Sequence, residues 1–85
     1  MLVFPVRYTF HVVGLIRDDA SSKKFVEDVK TVVLEISGDE NAKWEVLQRG
    51  EKFIKVKCEV EVSSSRMMNK IYMDISNIDG TLMRF

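Results

Sequence analysis

The 85 residues predict a two-layer α+β domain, one four-stranded sheet carrying two helices on a single face. Three observations lead there. Val6 to Gly14 and Phe53 to Val62 alternate apolar with polar residues, the period of a half-buried strand. Phe25 to Ile36 and Met67 to Ile78 repeat apolar side chains every three to four positions, the period of an amphipathic helix. The segments follow one another as strand, helix, strand, strand, helix, strand. Right-handed crossovers of the two strand–helix–strand units then place both helices on one side.

Each element has its own signal. Met1 to Phe4 is an apolar lead, and Pro5, which cannot donate to a ladder, marks the start of the first strand. Val6, Tyr8, Phe10 and Val12 point one way and Arg7, Thr9 and His11 the other. Leu15 to Ala20 is a charged break, with Asp19, Ser21 or Ser22 as candidate caps of the first helix. Phe25, Val29, Val32, Val33 and Ile36 form that helix's apolar stripe, opposite Lys23, Lys24, Glu27, Asp28, Lys30 and Glu35. Gly38 is the left-handed terminator. Trp44, Val46 and Gln48 alternate with Glu45, Leu47 and Arg49, and a turn containing Gly50 links this strand to the next as a hairpin. There Ile54, Val56, Cys58, Val60 and Val62 oppose Phe53, Lys55, Lys57, Glu59 and Glu61. Ser63, Ser64 and Ser65 offer caps for a second helix bearing Met67, Met68, Ile71, Tyr72, Ile75 and Ile78, which Asp79-Gly80 closes. Thr81 to Phe85 has room for a short last strand.

This order is that of the ferredoxin-like βαββαβ sandwich, residues 1–85 forming one domain. The first and third strands are expected at its centre, parallel to each other, with the second and fourth as edges. Val6, Tyr8, Phe10, Val12 and the Ile54-to-Val62 series lie under the helices. The other face, with Arg7, Thr9, His11, Val13, Phe53, Lys55, Lys57, Glu59 and Glu61, is left to solvent.

Composition narrows the function. Apolar residues make up 46% and charged residues 31%, the mix of a soluble globular chain. No apolar run approaches the roughly 18 residues of a membrane span, and no basic segment leads into an apolar, cleavable one. Thirteen cations balance thirteen anions, so the chain carries no bulk attraction for nucleic acid or anionic lipid. One cysteine cannot form an internal disulfide, which fits a reducing, cytoplasmic setting.

Catalytic chemistry is not visible. His11 is the sole histidine, without the several ligands a metal site needs. Cys58 falls on the covered face, where a cysteine behaves as a small hydrophobe. Four separated glycines make no phosphate loop. The expectation is a non-enzymatic domain without metal or cofactor.

Several pieces of the chain look familiar. Phe4-Pro5 leading a strand that closes on Val12-Val13-Gly14 resembles the start of the YbeD-like family of small uncharacterised proteins. Phe53-Ile54-Lys55-Val56 is similar to that family's third strand. Ser63-Ser64, Ile71-Tyr72 and Ile78-Asp79-Gly80 resemble its second helix and closing turn. The resemblance covers nearly the whole chain and implies a ferredoxin-like fold similar to the ACT regulatory domains. It carries over no catalytic residue. ACT domains bind ligands at the loop after the first strand, which by analogy points to Gly14, Leu15, Ile16, Arg17 and Asp18.

Two function classes follow. The first is a regulatory or interaction module binding a small ligand or a protein partner, with a homodimer among its options. Phe53, Val13, Leu47 and Trp44 could seed such a contact. The second is single-stranded nucleic-acid binding on the uncovered face. Arg49 to Val56 keeps the basic residue, glycine, Phe53 and Ile54 of the RNA-recognition signature, but Glu51 stands where a stacking aromatic belongs. Glu59 and Glu61 on the same face also oppose a phosphate backbone, so the first class is favoured.

Overall fold

A computed structural model describes residues 3–85, the side chain of Arg49 excepted. Met1 and Leu2, half of the apolar lead, lie outside the described residues. The elements follow the expected order: β1 (Val6–Leu15), α1 (Asp19–Ser37), β2 (Lys43–Arg49), β3 (Phe53–Val62), α2 (Ser65–Ser76) and β4 (Thr81–Arg84). One four-stranded sheet has the order β2-β3-β1-β4.

The expected parallel pairing of the two central strands is corrected. β1 and β3 run antiparallel, with Val6 opposite Val62 and Leu15 opposite Phe53, and every pair in the sheet is antiparallel. Connectivity explains it. The β1-α1-β2 crossover makes β1 and β2 parallel, and the β2–β3 hairpin then reverses β3 against β1. Alternation along a strand reports its face and carries no information about its direction.

The assignment of faces holds. Phe10, Val12, Ile54, Val56, Cys58, Val60 and Val62 are buried beneath Phe25, Val29 and Val33 of α1 and Met68, Ile71 and Ile75 of α2. Tyr8, Phe10 and Tyr72 meet edge to face, and the Tyr8 and Tyr72 hydroxyls bond at 2.8 Å. Burial first, then that bond, pushes the Tyr72 phenol above its ordinary pKa. Burial pushes the Cys58 thiol up to about 12, which makes it a poor nucleophile at neutral pH.

The helix boundaries refine the expected ones. Asp18 caps α1, one residue before the first candidate. Its carboxylate accepts from the Ser21 N–H at 2.8 Å, while Ser21 Oγ accepts from the Asp18 N–H at 3.1 Å. Gly38 terminates α1 at φ 62, the left-handed conformation that glycine adopts without the backbone strain a Cβ brings. α2 is capped by Ser64 and ends earlier than expected, at Ser76 with Asn77 as its cap, leaving Ile78, Asp79 and Gly80 in the loop to β4.

Candidate functional site

The sheet face without helices divides into two ends. Residues directly opposite on antiparallel strands share a face, so the register can be read as rows. At one end lie Arg7 with Glu61, then Thr9, Glu59 and Lys43. At the other lie Leu47, Lys55, Val13 and Met83, followed by Phe53 and Leu15. His11 and Phe85 stand between them. They exchange both backbone bonds, at 2.6 and 2.9 Å, and their rings stack with centroids 5.1 Å apart.

The Arg7 end supplies its own partners. β2 stops at Lys43 opposite Glu59, so no strand reaches the Glu61 N–H on that edge. Asp39, from the loop after α1, fills the gap by accepting from the Glu61 N–H at 2.9 Å and from the Asn41 N–H at 2.8 Å. Arg7 donates to the carbonyls of Asn41 and Glu59 and lies 3.5 Å from the Asp39 carboxylate and 3.7 Å from that of Glu59. The two backbone donors first, and Arg7 after them, hold the Asp39 carboxyl below its usual pKa.

The other end is apolar and unfilled. Leu15, Leu47, Phe53, Met83 and Phe85 are each 40–58% exposed, around a half-buried Val13. Lys55 rises among them with its ammonium 5.8 Å from the Phe85 ring. Among the described residues no carboxylate lies within ion-pair distance of Lys55, whereas Lys57 one row on is 3.9 Å from Glu45. Burial first, then Lys55 and Lys57, lowers the His11 pKa, and among the described residues its Nδ1 has no hydrogen-bond partner.

Of the residues singled out in the sequence, the fold sets Leu15 and Phe53 directly opposite each other. The other residues that the analogy singled out, Gly14 at the end of β1 and Ile16 to Asp18 after it, have structural work. Gly14 faces α1, and a Cβ there would come within 2.5 Å of the Phe25 ring. Ile16 is in the core. Arg17 is exposed and its N–H donates to Ser21 Oγ, while Asp18 is the helix cap. Trp44 leaves the contact group: it lies opposite Cys58 on the helix side, packed against the core with Lys30 over its ring. Met83 and Phe85 were not anticipated. The last strand is too short for alternation to show, and its pairing with β1 shifts register between Val13 and Gly14.

Concavities of the described residues are open hollows. One of ≈ 290 Å³ lies over Thr9, Lys43, Trp44, Glu45, Lys57 and Glu59. Another of ≈ 610 Å³ runs between α2 and β4 over Tyr72, Met73, Ser76, Arg84 and Phe85. Among the described residues no helix is long and apolar enough to cross a membrane.

Architecture and surface together define a small ferredoxin-like α+β domain with an open, half-apolar sheet. Residues 1–85 match the family described as "Protein of unknown function (DUF493)", and the chain belongs to that family, which includes the YbeD-like proteins. A solution structure of protein HP0495 from H. pylori is similar to it, with TM-score 0.74 and 21% identity over 100% of this chain and 86% of that one. A second solution structure, of the hypothetical protein HP0495 from Helicobacter pylori, gives TM-score 0.64 and 20% identity over 96% and 87%. At such identities the likeness shows the fold. Comparison with curated proteins finds no match.

Proposed function

We propose that the chain is a non-enzymatic, cytoplasmic interaction module that engages a protein partner through the apolar end of its open sheet face, and through it regulates that partner. The observation that carries this reading is the convergence of exposed apolar side chains from all four strands onto one patch rimmed by charge. Contiguous exposed apolar surface of this kind marks interaction sites. A small ligand is the weaker occupant, because small-molecule sites enclose most of their ligand and the hollows here are open. Single-stranded RNA is weaker too. Four of the six apolar side chains, Val13, Leu15, Leu47 and Met83, are aliphatic and offer no stacking plane, and Phe85 already stacks on His11.

Quantitative affinity capture from cells tests the reading with three chains: wild type, the Leu15→Ser/Phe53→Ser double variant, and Glu61→Gln. The expected result is a partner retained by wild type and Glu61→Gln and lost by the double variant. A partner kept by all three would place the contact elsewhere. Fluorescence anisotropy with mixed-sequence single-stranded RNA separates the second reading. No binding tighter than about 100 μM near physiological salt is expected, since one stacked Phe53 contributes only about 1–3 kcal/mol.

A further inference from the structure

We infer that the partner segment this face accepts is an acidic amphipathic helix laid on the apolar end of the sheet. This deepens the interaction reading above and rests on it.

Size is the first argument. The apolar rows span from β2 to β4, three strand spacings of about 4.8 Å, and roughly 10 Å along the strands. A helix is about 10 Å wide and rises 1.5 Å per residue, so about ten residues cover the patch. A second copy of this chain fits poorly, because stable pairs bury about 800 Å² per partner. Two copies meeting at this end would also bring their Lys55 side chains into one interface.

Backbone chemistry is the second argument. The patch is a sheet face, not an edge. An extended peptide pressed on a face would leave its N–H and C=O groups without ladder partners, whereas a helix satisfies its own. The same solution covers the other side of this sheet, where α1 and α2 supply the apolar stripes.

Charge is the third. Among the described residues, Lys55 stands among the apolar side chains with no carboxylate in reach, and Lys57 has Glu45 alone, at 3.9 Å. Lys52 and Arg17, both exposed, flank Phe53 and Leu15, and the Ile16 N–H bonds the Lys52 carbonyl at 2.8 Å, which holds the two loops together. Cations thus sit inside and beyond the apolar rows. A helix with apolar residues at i, i+3 or i+4 and i+7, flanked by Asp and Glu, matches both features.

The test is a selection from a displayed library of helical peptides with apolar residues held at those positions and the flanking positions randomised. Wild-type chain should enrich Asp and Glu over Lys and Arg at the flanks. A selected peptide should shift the amide signals of Leu15, Leu47, Phe53 and Met83, and its Lys-for-Glu sibling should bind about tenfold more weakly. A chain carrying Lys52→Glu, at an exposed position, and Lys55→Glu, at a half-buried one, should reverse the enrichment, and its amide spectrum checks that it folds. Binders on this face without charge bias would overturn the acidic helix and leave the interaction reading standing. Binders that map to α1 or α2, or no binders at all, would overturn both. Competition of the peptide by single-stranded RNA of micromolar affinity would replace the helix with a nucleic acid.

Discussion

β3 shows the two faces of the sheet side by side. On one side Ile54, Val56, Cys58, Val60 and Val62 are at most 2% exposed, and on the other Phe53, Lys55, Lys57, Glu59 and Glu61 meet solvent to varying degrees. Both helices are committed to the first side, so its residues answer only to packing. The second side is free of that constraint, and its two ends differ. The Arg7 end closes upon itself through Asp39, Glu59 and Glu61. The Leu15–Phe53 end leaves its apolar side chains exposed, and among the described residues Lys55 has no carboxylate within ion-pair distance. The difference teaches that exposure alone does not distinguish the two ends; the internal partners of the Arg7 end do.

The largest expected effect separates the faces. Val56→Ala removes two methyl groups from a fully buried site and should destabilise by about 1–3 kcal/mol in urea denaturation. A cost no larger than that of a surface substitution would break the division of faces. Next, Phe53→Ser should cost less than about 1 kcal/mol, since the ring is already 44% exposed, while abolishing partner capture. A large loss of stability would make Phe53 a core residue and remove the case for a contact surface.

His11 sharpens the boundary between the two ends. Its folded pKa lies below the ordinary 6.5, so the unfolded chain binds the proton more readily. The stability gained by keeping His11 neutral is therefore present above about pH 6.5 and is lost as the pH falls from there through the lowered value. Urea midpoints at pH 7.5 and 5.5 should show the decline, and His11→Gln should flatten it. Unchanged pH dependence in His11→Gln would contradict the crowding of this ring by Lys55, Lys57 and Phe85. The smallest effect is expected at Lys57→Ala, within about 0.5 kcal/mol of wild type, because its pairing with Glu45 is long and exposed.

Much of this was legible in the residues. Alternation in β1 and β3 assigned each side chain to its face, and the three-to-four spacing placed Phe25, Val29, Val33, Ile71 and Ile75 over the sheet. Val13, Leu47 and Phe53 could be named because their strands are long enough to count along, whereas Leu15 was named only through the ACT analogy, as part of the loop after the first strand. Met83 and Phe85 could not, since β4 has four residues and joins β1 across a register shift. Asp39 was hidden for another reason. Its role is to bond a strand N–H 22 residues away, and no local pattern records such a contact. Asp18 was passed over for neighbours of equal capping propensity, and Ser21 three residues on was the signal that could have found it.

The most direct test of the central claim uses two sites on one strand. Leu47 and Lys43 both belong to β2 and both point to the open face, two rows apart, one at each end. A photoreactive residue placed at either position in the otherwise unchanged chain, and activated in cells, reads which end meets a partner. The account predicts a discrete crosslinked protein from position 47 and none from position 43. Equal crosslinking at the two positions, or crosslinking from 43 alone, would contradict it.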